Sequence, residues 1–305
     1  MAAKRGRIGL IGGSGVYDLS GIEDLQQQKV ETPFGVPSGP YFTGTLGGVP
    51  VVFFSRHGRG HRVQPSEINY RANICGFKIL GCDALLSASA VGSLKEEYAP
   101  RHAVVPDQFI DRTRHRADTF FGDGIVAHVA FAEPVCSSLA AALGESAAEA
   151  GLTVHRGGTY VCIEGPQFST RAESSLYRSW GADVIGMTNL TEAKLAREAE
   201  ICYASLALVT DYDCWREETA AVSVEAVLAI LSENATAARK TMRAAVPRVD
   251  PGRSCGCRRA LQYAILTDRK AISEAAKKRL VPIAGRYLET RKTQNVNARP
   301  EDGRR

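Results

Sequence analysis

Ile8-Gly-Leu-Ile-Gly-Gly-Ser-Gly15 opens with four residues of strand composition, Ile8 to Ile11, and breaks at once into a glycine-rich loop. A short apolar run bounded by glycines reads as a buried strand, and the polar residues just beyond it stand at its carboxyl end. The same pattern recurs along the chain. Val49–Phe54, Ala84–Ala88, Ala103–Val105, Gly158–Ile163, Val184–Met187 and Ser205–Thr210 have strand composition. Asn69–Leu80, Cys136–Ala150, Thr170–Trp180, Thr191–Tyr203, Val222–Ala245 and Ala271–Arg279 have helical periodicity or composition. Strands interleaved with helices predict an α/β domain built on a largely parallel or mixed sheet. The one shift in composition comes at Asp250-Pro251-Gly252. It divides an expected domain over residues 6–250 from a basic extension over 251–305, helical in part with a disordered end.

Composition narrows the function classes. At 305 residues, 44% hydrophobic and 23% charged, the chain can bury a sizeable core. No apolar run is long enough for a membrane helix. Met1 to Arg7 is basic but lacks the apolar stretch and small-residue cleavage site of a secretory signal, so a cytoplasmic location is expected. The net charge of +5 is unevenly placed. Residues 253–305 hold 14 Lys+Arg against 5 Asp+Glu, which leaves 24 against 28 in the first 252. The body therefore has no basic excess of the kind that binds nucleic acid, and neither nucleic acid nor membrane is expected as a partner.

Of the eight cysteines, Cys75, Cys82, Cys136, Cys162, Cys202 and Cys214 lie among apolar neighbours, as reduced core thiols do. Cys255-Gly-Cys257 sits in an arginine-flanked turn and supplies half of a tetrahedral zinc site. No second pair of that spacing exists in the sequence, so no metal is expected; free thiols and an oxidised local pair remain open.

In open α/β sheets ligands bind beyond the carboxyl ends of the strands. The polar residues there are Ser14 within its glycines, Arg56-His57, Ser89-Ala90, Thr188, and Asp211-Tyr212-Asp213. The glycine loop lacks both the third glycine of a dinucleotide fingerprint and the Gly-Lys-Ser/Thr of a Walker loop. It can be a simple turn, or a nest whose amides hold one anion. Arg56 presents a planar fork that matches two phosphate oxygens, and His57 can donate from either ring nitrogen. With the hydroxyls at the other strand ends, a single-phosphate pocket is the reading that joins them. Asp211 and Asp213 fit an N-cap before Trp215 or a purine edge, where a carboxylate accepts from an amine and a carboxyl donates to a ring nitrogen.

Longer motifs carry a family resemblance. Ile8 to Gly15, Glu31-Thr-Pro-Phe-Gly-Val-Pro-Ser38, Arg56-His57-Gly58 and Asn69-Tyr-Arg-Ala-Asn73 resemble the trimeric purine nucleoside phosphorylase family. Asp107-Gln-Phe-Ile-Asp-Arg-Thr113, Ile163-Glu-Gly-Pro-Gln-Phe-Ser-Thr-Arg-Ala-Glu173 and Thr210-Asp-Tyr-Asp-Cys-Trp215 resemble its methylthioadenosine phosphorylases. The resemblance runs nearly unbroken from Ile8 to about Val249. It implies a three-layer α/β/α domain with a central mixed sheet, a homotrimer with active sites near subunit interfaces, and phosphorolysis of S-methyl-5′-thioadenosine to adenine and 5-methylthioribose 1-phosphate, a salvage step. Inorganic phosphate is then a co-substrate, and no cofactor is expected.

Residue by residue, the resemblance places phosphate against Ser14, Arg56, His57, the Ser89-Ala90 backbone and Thr188. Met187 lies along the ribose, Phe168 lines the base pocket with Ser169 close by, and Asp211 and Asp213 read the adenine edge. Val224, Val227 and Leu228 form the subsite for the methylthio group, although ordinary amphipathic core would read the same way, and His128 arrives from a neighbouring subunit. Asp211 is the candidate acid for the departing purine, with water as the alternative donor. Ser14 and Ser89 stand where relatives often have threonine, Gly186 where many have asparagine, and the segment Asn189-Leu-Thr-Glu192 lacks a proline often found before that glutamate. Cys255-Gly-Cys257 resembles a Cys-x-Cys element of some heat-stable archaeal relatives. Asp211 stands where 6-oxopurine enzymes have asparagine, which disfavours that rival. A nucleoside-binding protein without catalysis would be marked by loss of Arg56, His57 or Asp211, and all three are present. A nucleoside hydrolase would need a calcium-binding aspartate cluster, which the N-terminal region lacks.

Overall fold

Alternation along three central strands sets the architecture. In the computed structural model, which describes residues 6–16, 21–216 and 224–288 (the side chains of 224–228 excepted), β1 (Arg7–Gly12) lies between β4 (Val49–Ser55) and β5 (Cys82–Ser93), parallel to both. Successive side chains on a strand point to opposite faces, and these strands are apolar on both. Ile8, Leu10, Val51, Phe53 and Leu86 share a buried cluster with Leu143 of α2 (Ser137–Glu149) and Ala238 and Met242 of α5 (Val224–Ala245). Ile11, Val52, Phe54 and Leu85 share another with Phe77 of α1 (Tyr70–Ile79), Ala196 of α4 (Asn189–Glu198) and Leu280 of α6 (Glu274–Leu288). A sheet covered by helices on both faces is a three-layer α/β/α domain.

The sheet is mixed. Among the described residues its order is β2 (Glu23–Gln28), β3 (Tyr41–Leu46), β4, β1, β5, β10 (Val184–Gly186), β9 (Thr159–Ile163) and β7 (Gln108–Arg112). From β5 a branch leads through β11 (Cys202–Tyr212) to β6 (Ala103–Val105) and β8 (Val154–Arg156). Strands β2, β3, β7 and β8 are additions to the sequence reading. β2 is polar and mostly exposed, so apolar patterning does not mark it. β3 and β4 form an antiparallel pair joined by Gly47-Gly48, whose φ angles of 57° and 77° suit the hairpin turn that such a glycine pair signals. The helix expected over Thr191–Tyr203 stops at Glu198, because Glu200 turns the chain at φ 56° and Cys202 already begins β11. The last helix starts at Glu274 rather than Ala271 and runs to Leu288. Leu261, Ala264, Ile272 and Leu288 belong to the same cluster as Phe54 and Phe77, so this part of the basic extension is built into one helical layer. The expected disordered end lies outside the described residues.

The cysteines divide differently from the sequence reading. Cys75, Cys82 and Cys162 are buried, whereas Cys214 is exposed. Cys136 and Cys202 are not scattered at all: their sulfurs join those of Cys255 and Cys257, all within 4.8 Å of one another.

One irregularity of the sheet positions everything that follows. β5 pairs with β1 only as far as Ser87 and with β10, now antiparallel, only from Gly92. Between them, no strand among the described residues lies beside the edge of Ala88 to Val91. The carboxyl ends of β1 and β4 stop at this gap.

Candidate active site

A cavity of about 720 Å³ opens over the gap, and Ser14, Arg56, His57, Ser89, Ala90 and Thr188 line one end of it. Asp211 and Asp213 line the other, with Met187 and Phe168 also on its wall. The sheet thus brings together residues that are up to 199 positions apart in the chain, from Ser14 to Asp213.

At the first end, Arg56 follows β4 and is buried to 1% exposure. Its Nε donates to Glu192 Oε1 at 2.5 Å and its Nη2 to Oε2 at 3.2 Å. Nη2 also reaches Ser87 Oγ at 2.5 Å, and Nη1 the Ala88 carbonyl at 3.1 Å. The planar fork expected to grip two phosphate oxygens is therefore held by Glu192, and Nη1 keeps one further N–H to offer. Burial works against the charge, but the Glu192 carboxylate holds Arg56 protonated above its ordinary value. Gly13 is required here, since a Cβ on it would stand 2.7 Å from Arg56 Nη1 and 2.5 Å from the Ala88 carbonyl. Ser87 Oγ and Tyr203 Oη each donate to Glu192 Oε2 at 2.8 Å, and Asn189 Nδ2 reaches Tyr203 Oη at 2.9 Å. The Ser89 hydroxyl donates to Asn189 Oδ1 at 2.6 Å, so what remains of Ser89 for a ligand is its backbone on the open edge.

His57 is restricted in a similar way. Its Nδ1 lies 2.8 Å from the Val63 carbonyl, which can only accept, so Nδ1 carries the proton and Nε2 presents a lone pair. Burial, aided by the Arg56 charge, pushes the imidazole down to about 3. The ring is neutral and does not donate from either nitrogen as the sequence suggests; it donates from one and accepts at the other. Thr188 lines the cavity and precedes α4, whose amino-terminal end adds a partial positive charge on the same side.

The second end is left unfinished by the protein. β11 breaks register against β5 between Val209 and Asp211, and this bulge turns Asp211 toward the cavity. Burial pushes its carboxyl up to about 6, against the opposing hydrogen bond from the Thr210 hydroxyl. Asp213 is also raised by burial, an effect its serine neighbours, Ser174 foremost, oppose. Even so, Asp213 Oδ2, Ser169 Oγ and Ser174 Oγ are buried without a well-aligned hydrogen-bond partner. Buried polar atoms are nearly always satisfied, and a cluster of three that meet one another only in poor alignment is one that a polar ligand can complete. A capping box places this corner: Thr170 Oγ1 accepts from the Glu173 amide while Glu173 reaches back, starting α3 (Arg171–Ser179) between Ser169 and Ser174. Gly92 forms the floor, where a Cβ would stand 3.5 Å from Asp211 Oδ1.

The N-cap reading of Asp211 and Asp213 does not apply, because Trp215 lies in a turn. Ser169 and Met187 are half-buried on the cavity wall, and Phe168 is 82% exposed at its rim. His128 is exposed and does not line the cavity of its own chain. The side chains of Val224, Val227 and Leu228 lie outside the described residues. Gly186 has a structural cause, since a Cβ there would meet Tyr160 Oη at 2.0 Å. Sequence reading missed Glu192, Ser174 and Arg116. Arg116 pairs with Glu164 at 3.0 Å and donates to the Met187 carbonyl, fixing the wall between the two ends. No local signal marks these three, which become relevant only through partners distant in sequence.

Comparison with known proteins places the chain in a family. The model of the Phosphorylase superfamily matches residues 7–247. The S-methyl-5′-thioadenosine phosphorylase of Geobacter sulfurreducens is 59% identical over 282 residues, covering 92% of this chain and 99% of that relative. A methylthioadenosine phosphorylase crystal structure from an antarctic soil metagenomic library superposes with a TM-score of 0.87 at 47% identity, over 92% of this chain and 99% of that one. A methylthioadenosine phosphorylase from Schistosoma mansoni, in complex with adenine, does so at 0.76 and 38%, over 80% and 91%.

Proposed function

The chain belongs to the phosphorylase superfamily, and with that as premise we propose that it cleaves S-methyl-5′-thioadenosine with inorganic phosphate, yielding adenine and 5-methylthioribose 1-phosphate. The observation that carries this reading is the polarity of this cavity. A positively biased end with backbone amides faces a carboxyl end with unsatisfied acceptors and donors, at opposite ends of a space that Met187 also lines.

In this reading phosphate sits against Ser14, the free Nη1 proton of Arg56, the Ser89-Ala90 edge and Thr188. A hydrogen phosphate oxygen donates to Nε2 of His57. A phosphate oxygen attacks the anomeric carbon while the bond from that carbon to the purine nitrogen breaks, and the anion stabilises the positive charge that develops on the sugar. The electron pair of the broken bond goes to the purine, which takes a proton. Asp211, raised to about 6, holds that proton over a far wider pH range than an ordinary aspartate. Asp213 and Ser169 hold the base edge with Ser174 buried against Asp213, Phe168 covers it, and Val224, Val227 and Leu228 receive the methylthio group. No cofactor takes part, and the location is cytoplasmic. The working unit is a homotrimer in which a neighbour's copy of His128 completes the site, in line with the exposure of that residue away from its own cavity. The test is incubation with methylthioadenosine with and without phosphate, following adenine by chromatography. Adenine formation that needs phosphate supports the reading; adenine at the same rate without phosphate overturns it.

A further inference from the structure

Cys136, Cys202, Cys255 and Cys257 come from three separate parts of the chain, yet their four sulfurs lie within 4.8 Å of one another. Cys136 is the N-cap of α2, Cys202 opens β11, and Cys255 and Cys257 flank the glycine of a one-turn helix in the basic extension. We propose that these thiols form a tetrahedral zinc site that fastens the extension to the body of the domain.

The spacing supports zinc over simple packing. A regular tetrahedron with zinc–sulfur bonds of about 2.3 Å has edges of about 3.8 Å, and Cys136 Sγ and Cys255 Sγ are 3.8 Å apart. No sulfur pair among the four is joined as a disulfide. The donor set is all sulfur, the one that selects zinc among common divalent ions when the geometry is tetrahedral. Three of the four are buried and Cys255 is half-buried, which leaves a path for the ion. Cys136 is held in place by its amide, which donates to the Tyr203 carbonyl at 2.8 Å, and its sulfur has the Ser138 hydroxyl 3.3 Å away. Four thiolates leave a net negative charge on a divalent ion, and Arg253, Arg258 and Arg259 flank the Cys255-Gly-Cys257 turn. The site lies in the helical layer of α2 and α5, so its role is structural and separate from the cavity. The proposal departs from the expectation of no metal. The matching pair is supplied by tertiary structure, not by a second close spacing.

Loading replaces four S–H bonds by four zinc–sulfur bonds, with the protons released to buffer and no change of oxidation state. The experiment is metal analysis of full-length protein purified under reducing conditions and given zinc chloride, then desalted. About one zinc per chain is expected, with Cys255→Ser and Cys257→Ser each losing it and Cys75→Ser keeping it. Cobalt added to the metal-free wild-type protein should give the intense charge-transfer and visible bands of tetrahedral thiolate coordination, a readout that needs no variant to fold. A strong chelator should lower the thermal midpoint of the wild type by roughly 5–15 °C. No retained zinc in the reduced protein, iron in its place, or an intact mass lighter by the hydrogens of a Cys136–Cys202 disulfide in protein handled under nitrogen would each overturn the proposal.

Discussion

The two ends of the cavity are built on opposite principles. Around Arg56, four of the five guanidinium protons have identified partners among Glu192, Ser87 and Ala88, and Ser87, Tyr203 and Asn189 complete the network. Around Asp211 and Asp213, three buried polar atoms lack a well-aligned partner and both carboxyls are raised by burial. One end is finished before any ligand arrives; the other is finished by the ligand. A small anion of fixed shape can be met by a rigid, preorganised cradle. A purine edge must be told apart from near-identical edges, and the cost of leaving buried groups unpaired is what makes such a distinction large.

The largest effect that would break this contrast comes from removing Glu192. Glu192→Ala strands a buried guanidinium, and a loss of about 3–5 kcal/mol is expected from urea denaturation. Arg56→Ala should lose comparable stability and also raise the phosphate requirement steeply in the adenine assay. If either protein stayed within about 1 kcal/mol of the parent, the anion end would not be the rigid one.

Asp211→Asn should act in opposite directions on stability and on activity. An aspartate titrates near about 3.9 when unfolded and at about 6 here, so the folded state binds the proton more tightly. Stability from that proton is fully present below the unfolded value and is lost as pH rises through the folded one. Asparagine escapes the loss, so the variant should be more stable by about 1–3 kcal/mol at pH 7.5, with the difference closing below about pH 4. Adenine release should slow because no proton can be donated. Preference should move from methylthioadenosine toward methylthioinosine, because an amide can turn its NH₂ toward a carbonyl. An unchanged ratio of efficiencies for the two nucleosides would transfer base reading to Asp213 or the backbone.

Ser174→Ala sharpens the comparison at smaller scale. A hydroxyl whose one near partner, the Asp213 carboxyl, is poorly aligned contributes little to folding, so stability should hold to within about 0.5 kcal/mol. The KM for methylthioadenosine should rise several-fold while that for phosphate stays put. A matched drop in stability would mean that the base end is satisfied without ligand. The smallest effect is expected from ending the chain before Arg291. That stretch is polar and charged with no apolar face, and kinetics with either substrate should not change.

Much of this molecule is a local matter. Ile8 to Ile11 is a strand because it is apolar between glycines, and Thr170-x-x-Glu173 starts a helix because the two side chains satisfy its first amides. Strand-end polar residues could be picked out in advance because a parallel sheet gathers its carboxyl ends in one place. Partnership could not. Whether Arg56 grips a ligand or Glu192, which nitrogen of His57 carries a proton, and whether Cys136 meets Cys202 all depend on which strands lie side by side. Nor does local sequence contain the gap between β1 and β10 along β5, which opens the cavity. Hydrophobic periodicity is set within a few residues, and chain order is enough to show it. Hydrogen bonds, burial and metal geometry act over a few ångströms in space, between residues 136 apart in the chain in the case of Arg56 and Glu192, and only the folded structure sets those distances.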